Sequence, residues 1–218
     1  MIETQLLNWL NTIAQWYLIV PFLVIIIRWK TFDVVHRRVS WYIIFTIAFV
    51  IGTFLLAKMK INNLFIFYLI SPAFVWMVFR IYESTLRKYE FWKFIKLILI
   101  TFAVFVVIDM FFIEDYKSKF PTNIYPSQEI ITLLIVYYYL YIFSKEARRE
   151  FSLLWITVGI GLSALIMLII VLYYPDTGFT ENTVGHFIWA GLGSMSDIIS
   201  YSFVTYGLYT ARPKLLNL

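Results

Sequence analysis

The chain contains no cysteine, only two histidines and few charged residues for its length. Without cysteine, a disulfide framework, an iron–sulfur cluster and a thiolate metal site are all excluded. Charged residues make up 14% of the 218 residues, against about 25% in an ordinary soluble domain. No stretch is polar and long enough for a separate soluble domain, so we expect a single compact domain over residues 1–218.

Long apolar stretches recur along the chain, and 61% of its residues are hydrophobic. A helix needs about 20 apolar residues to cross the hydrocarbon core of a bilayer. Seven stretches approach or exceed that length, and they predict an all-α bundle of seven transmembrane helices. The predicted spans are residues 5–27, 40–57, 63–81, 94–113, 127–143, 151–173 and 185–209. Pro21 and Pro72 are expected to kink the first and third spans. Small residues in the last two spans are expected to allow close helix packing: Gly159, Gly161, Ala164, Gly191 and Gly193.

The two sides of this predicted bundle differ in basic residues. Of the chain's 18 lysines and arginines, one side carries only Lys58, Lys60, Lys117 and Lys119. Basic loops mark the cytoplasmic side of a membrane protein. We therefore predict an external N-terminus and an internal C-terminus, which requires an odd number of spans. The first residues lack the basic region of a cleavable signal peptide, so the first span should remain in the mature protein.

An acidic residue, Asp197, lies near the middle of the last predicted span. At helical spacing it shares one face with His186, Ser194, Ser200 and Tyr201. An ionised, unpaired carboxylate at that depth costs about 3 kcal/mol or more. Two interpretations remain open: a proton-sensitive or ion-binding switch, or a neutral acid hydrogen-bonded to a serine or a neighbouring helix.

A second group of polar residues is predicted near the external side. Asn8, Asn11 and Gln15 form a stripe along the first span, at spacings of three and four residues. Asp109 ends the fourth span, and His186 begins the seventh at similar depth. These residues could line a pocket open to the outside, with Asp109 and His186 paired. The alternative is interfacial polarity and helix–helix hydrogen bonding without a ligand.

The internal loops carry the candidate contacts for a partner protein. The segments 81–92 and 144–150 contain Arg87, Lys88, Arg148 and Arg149. The alternative role for these residues is to fix the topology and bind anionic lipid headgroups. The net charge of +5 arises from such loops, so we expect no nucleic-acid partner.

Several chemistries lack the residues that they need. A bis-histidine haem is excluded because His36 and His186 are predicted on opposite sides of the membrane. A retinal Schiff base needs a lysine in the middle of a span, and Lys214 lies in the basic tail instead, so a rhodopsin is not expected. No nucleophile, base and metal-ligand set converges in the sequence. We therefore expect neither enzymatic activity, nor a metal, nor a cofactor.

Two segments resemble a group of small seven-helix membrane proteins. Residues 151–159, Phe-Ser-Leu-Leu-Trp-Ile-Thr-Val-Gly, are similar to the start of that group's sixth span. Residues 197–207, Asp-Ile-Ile-Ser-Tyr-Ser-Phe-Val-Thr-Tyr-Gly, are similar to its last span, which more often has asparagine where this chain has Asp197. The group is common in Bacteroidetes-type bacteria, often encoded near sensor histidine kinases. The resemblance implies sensing or signalling in a bacterial inner membrane and supplies no catalytic residue.

Three functions are consistent with these observations. The leading expectation is a sensor or signalling subunit that responds to a small molecule, a lipid or the membrane state. It would act through a histidine kinase, another membrane subunit or a second copy of the chain. The alternatives are a small proton-coupled transporter or channel that uses Asp197, and a structural subunit of a membrane complex.

Overall fold

The computed structural model describes residues 2–60, 64–113, 122–145, 150–173 and 184–212, with residues 2–4, 6–8 and 184–190 described by their backbone alone. The described chain is helical and contains no strand, which confirms the predicted all-α class. Short 3-10 and π-helical turns occupy Trp29–Thr31 and Asp109–Ile113. The α-helices are α1 Ile2–Tyr17, α2 Ile19–Arg28, α3 Val34–Lys58, α4 Leu64–Leu86, α5 Phe91–Ile108, α6 Ile124–Lys145, α7 Phe151–Tyr173 and α8 Val184–Thr210.

Six helical segments in the described residues are long and apolar enough to cross a membrane. The predicted seventh span, α8, is 27 residues long, or about 40 Å, but it is not one of the six. Large apolar side chains cover the outside of the bundle, including Ile27 at 78% and Phe112 at 83% exposure. Such a surface suits contact with lipid. The protein is thus a multi-pass membrane protein. The six are Trp9–Thr31, Val34–Lys58, Leu64–Leu86, Phe91–Ile113, Ile124–Lys145 and Phe151–Tyr173.

The first membrane span is interrupted between α1 and α2. Pro21 has no N–H to donate to the carbonyl of Tyr17, four residues earlier, and α1 ends at Tyr17. The sequence predicted a kink at each of two prolines, and the first span is interrupted near Pro21. Pro72, by contrast, lies within α4, which continues across it from Leu64 to Leu86.

The helices form a closed ring with one helix outside it. The neighbours in order around the ring are α2, α3, α4, α6, α7 and α8, and α8 returns to pack against both α1 and α2. Helix α5 packs against α4 and α6 from outside the ring. Side chains from four ring helices therefore meet at the centre.

The closest helix pair is α7 with α8, and two glycines permit the approach. A Cβ built on Gly159 would lie 2.7 Å from the backbone oxygen of Ser200. The sequence predicted close packing at Gly159, as small residues allow in membrane helices. At Gly193, also expected to pack closely, nothing lies within 4 Å of such a Cβ. Gly207, where the contact is tighter still, was not singled out.

Candidate functional site

A cluster of ionisable side chains occupies the centre of the helix ring. Two carboxyl groups and four phenol groups interact electrostatically with one another there, although they come from four helices. We call this set the central cluster. Its members are Tyr42 of α3, Tyr82 of α4, Tyr125 and Glu129 of α6, and Asp197 and Tyr201 of α8.

The two acids of the central cluster face each other across the ring. Glu129 is close enough to Asp197 for their carboxyl groups to interact electrostatically. The side chain of Glu129 is buried, at 7% exposure, and its Oε1 accepts a hydrogen bond of 2.9 Å from Gln128 Nε2. Asp197 is less completely buried than Glu129. The membrane interior thus contains two carboxyl groups that interact electrostatically.

Sequence reasoning identified Asp197 and Tyr201 but missed Glu129. Glu129 lies two residues inside the predicted fifth span and was not among the candidate residues. A signal was nevertheless present: Tyr125 and Glu129 are four residues apart, as are Asp197 and Tyr201. Residues at this spacing share one helix face, so each helix presents one acid and one tyrosine together.

Tyrosines of the central cluster, which we call the aromatic wall, interact electrostatically with the two acids. Tyr125 and Tyr42 both interact electrostatically with Glu129 and Asp197, and Tyr201 interacts with Asp197. Neighbouring rings hold them in place, since Tyr42 packs edge-on against Phe74 at a centroid distance of 5.9 Å. The predicted serines of α8, Ser194 and Ser200, are buried on the same helix.

The predicted external pocket is assembled differently. Asp109 is fully buried, and its Oδ1 accepts a hydrogen bond of 3.0 Å from Asn123 Nδ2. The expected partner, His186, lies on α8 where only the backbone is described. The partner that the structure gives to Asp109 is therefore the side chain of Asn123, 14 residues further along the chain.

The polar stripe of the first span lies on the outer surface of the bundle, as far as its side chains are described. Asn11 and Gln15 are exposed, and Gln15 Nε2 donates to Asn11 Oδ1 at 3.5 Å. Asn8 lies outside the described side chains. Their exposure shows that these two residues point away from the ring instead of lining an interior pocket.

An ion cluster lies at the end of α4, among the predicted partner contacts. The buried carboxylate of Glu83 pairs with Arg80 at 2.7 Å, Arg87 at 3.1 Å and Arg38 at 3.5 Å. We call Glu83 and these three arginines the arginine cluster. It carries more positive than negative charge, and the side chain of Arg87 is 63% exposed. Lys88 is exposed beside it, and the other two predicted contacts lie outside the described residues: Arg148 and Arg149.

These features define a class of protein, a polytopic helical membrane protein with an acidic and aromatic interior and one strongly basic end. Within the described residues, no group of three histidine, aspartate or glutamate side chains is placed to hold a metal ion. No protein-family model, curated protein or solved structure matches the chain.

Proposed function

We propose that the protein is a membrane sensor that binds a small organic cation at the central cluster and signals through a partner protein. The observation that supports this proposal is the electrostatic interaction between Glu129 and Asp197 inside the ring. Two carboxyl groups that interact in a membrane interior repel each other when both are ionised. A bound cation relieves that repulsion and satisfies both acids.

The aromatic wall favours an organic cation over a metal ion. The faces of tyrosine rings attract ammonium groups, with energies of about 0.5–2 kcal/mol per contact. Tyr42, Tyr125 and Tyr201 interact electrostatically with the acids and keep part of their surfaces accessible. An ammonium group among these rings would meet two anions and several aromatic faces, whereas a metal ion would meet too few carboxylate or carbonyl ligands.

A direct link through α4 favours sensing. Tyr82 belongs to the central cluster, and the next residue, Glu83, holds the arginine cluster together. A displacement of Tyr82 by a ligand therefore reaches the exposed Arg87 through one turn of helix. In this proposal the arginine cluster and Lys88 contact the partner, which is a histidine kinase, another membrane subunit or a second copy of the chain. The resemblance of the last two helices implies a bacterial inner membrane.

One observation also favours a transporter as the second candidate. Acids inside a membrane often mark the path of a proton or a cation, and both acids of this pair lie within the ring. Proton-coupled uptake of the same organic cation would use the same residues. Sensing and transport therefore differ in what happens after binding.

The first test measures binding. Isothermal titration of the purified protein with tetramethylammonium and with choline should show saturable binding, and both Asp197→Asn and Glu129→Gln should weaken it at least tenfold. Glu90→Gln is the matched control because it removes one exposed acid from the same protein. Unchanged affinity in both interior variants would exclude the central cluster as the binding site.

The second test separates sensing from transport. A mild-detergent pull-down with mass spectrometry should recover a stoichiometric kinase or membrane subunit, and its recovery should change when choline is added. Uptake of labelled choline into proteoliposomes that depends on a proton gradient and on Asp197 would instead support the transporter. If a partner is recovered in the same amount with and without each cation, the result would support a structural subunit of a membrane complex.

A further inference from the structure

A cavity opens at the basic end of the bundle, apart from the central cluster. Its volume is about 730 Å³, and it lies between the start of α3, the start of α7 and the end of α8. Both polar and aromatic side chains reach it. The residues used below are Asp33, His36, Ser152, Trp155, Tyr206 and Arg212.

Three of these side chains form a continuous hydrogen-bonded chain. Asp33 Oδ1 lies 2.7 Å from His36 Nδ1, and His36 Nε2 lies 3.1 Å from Ser152 Oγ. The carboxylate at Nδ1 is an acceptor, so Nδ1 carries the hydrogen and Nε2 is free to accept from the serine hydroxyl. This order of acid, imidazole and hydroxyl is the arrangement that activates a serine nucleophile.

Local structure holds these three hydrogen-bonded side chains in one geometry. Asp33 is the N-cap of α3, and its Oδ1 also accepts a hydrogen bond of 2.8 Å from the backbone N–H of His36. The imidazole is 3% exposed and packs beside the ring of Phe32 at 5.9 Å. Burial alone would raise the pKa of the Asp33 carboxyl, but its hydrogen bonds with His36 outweigh burial and hold that pKa below its usual value. The acid therefore remains an anion that orients the imidazole.

We propose that Ser152, His36 and Asp33 form a catalytic unit that hydrolyses a carboxylic ester at the membrane surface. Ser152 Oγ attacks the ester carbonyl carbon while His36 Nε2 takes the hydroxyl proton. The bond between the carbonyl carbon and the alkoxy oxygen then breaks, and His36 gives its proton to the departing alcohol. A water molecule attacks the acyl-serine through the same imidazole, which releases the carboxylic acid and restores the Ser152 hydroxyl.

The start of α7 provides hydrogen-bond donors for the oxyanion that forms on the carbonyl oxygen. The backbone N–H groups of Leu153 and Leu154 both donate to the carbonyl of Glu150. The two N–H groups before them, those of Phe151 and Ser152, have no acceptor within the helix because it begins at Phe151. Donors fixed beside a nucleophile stabilise such an oxyanion, typically by about 3 kcal/mol per donor.

The cavity wall indicates the class of ester. Trp155 stacks on Phe203 with the planes 9° apart and meets Tyr206 edge-on, so the apolar wall is fixed. Arg212 and Glu150 add one positive and one negative charge to the same cavity, so its lining does not select an anionic substrate. An apolar wall beside polar and charged groups suits an ester with an acyl chain and a polar head. The substrate class is thus an amphiphilic, lipid-like ester present at the bilayer surface.

The test uses an alkyl fluorophosphonate on the purified full chain, because this probe reacts with activated serines. We expect a single adduct on the wild-type protein, and peptide mapping should place it on Ser152. This measurement needs no variant, so it does not depend on how a substitution affects folding. Failure of the folded wild-type protein to form an adduct at Ser152 overturns the proposal.

Hydrolysis of 4-nitrophenyl octanoate then tests the roles of the other residues. Ser152→Ala should abolish the activity, and His36→Gln should reduce it at least 100-fold. Asp33→Asn should lower kcat at least 100-fold with little change in KM, since it orients the imidazole without touching the ester. Ser144→Ala, which alters an exposed serine at the same end of the bundle, should keep full activity. Equal rates for the wild-type protein and Ser152→Ala would overturn the proposal.

Discussion

Gly207 of α8 lies directly against the backbone of Ser152 in α7. A Cβ on Gly207 would stand 2.5 Å from the Ser152 carbonyl oxygen and 2.5 Å from Ile156 Cγ1. Helices α7 and α8 are fixed at a distance that only glycine permits at this point. The same contact sets the position of Ser152 relative to the cavity at the basic end.

Gly207→Ala and Gly159→Ala should each destabilise the protein by about 1–3 kcal/mol, since a methyl group would push against backbone atoms that cannot move independently. Thermal unfolding in detergent measures the effect. Gly193→Ala is the matched control, because nothing lies within 4 Å of the added Cβ, and it should be neutral or slightly stabilising. Equal losses in all three variants would mean that α7 and α8 are not in close contact.

Asp197→Asn and Glu129→Gln should each stabilise the ligand-free protein by about 0.5–2 kcal/mol at an alkaline pH that ionises both acids. Each substitution removes the repulsion between the two acids and the cost of holding a charge inside the bundle. The double variant should gain less than the sum of the single variants, because the first substitution already removes their interaction. Strict additivity in thermal unfolding would show that the two carboxyl groups do not interact.

Glu83→Gln should lower the free energy of unfolding by about 1–3 kcal/mol. The substitution leaves Arg38, Arg80 and Arg87 without their shared anion at the end of α4. Partial exposure of the arginines keeps the loss below that of a fully buried pair. Glu90→Gln, which removes an exposed acid a few residues away, should change stability by less than about 0.5 kcal/mol.

Asp33 should make the stability of the protein vary with pH in the acidic range. Its pKa is lower in the folded protein than in the unfolded chain, so its contribution is complete above the unfolded pKa of about 3.9. The contribution is lost as the pH falls through the lower, folded pKa. Asp33→Ala, which also removes the N-cap of α3, should cost about 1 kcal/mol at pH 7.

The gap in unfolding temperature between wild-type and Asp33→Ala should therefore narrow as the pH falls from about 5 to about 3. Titration of the two proteins in the same detergent gives this gap directly. A gap that stays constant over that range would mean that the Asp33 carboxylate has no special partner in the folded state.

Apolar runs, one proline and one glycine position were enough to predict much of the fold. They gave the helical class, the interruption near Pro21 and the close packing at Gly159, because each depends on local composition or on a backbone group. Boundaries were less accurate: α3 begins at Val34 and not near residue 40, because Asp33 caps it. Helix α5 lies outside the ring, and nothing in its own composition distinguishes it from the ring helices.

The candidate sites depend on which helices are neighbours, and apolar periodicity does not contain that information. Glu129 meets Asp197 because α6 and α8 face the same centre. His36 meets Ser152 although 116 residues separate them, and no local motif marks either one. The sequence predicted no converging nucleophile and base because the spacing of residues does not show that His36 of α3 and Ser152 of α7 lie in contact.

Arg28 connects the first membrane span to the last. Its guanidinium donates to the carbonyl oxygens of Leu208 at 3.0 Å, of Ala211 at 2.6 Å and of Tyr209. These acceptors are synthesised about 180 residues later, which corresponds to roughly ten to forty seconds of translation. Arg28 therefore lacks these acceptors until α8 has been synthesised. Until then, the partly assembled bundle exposes its polar interior.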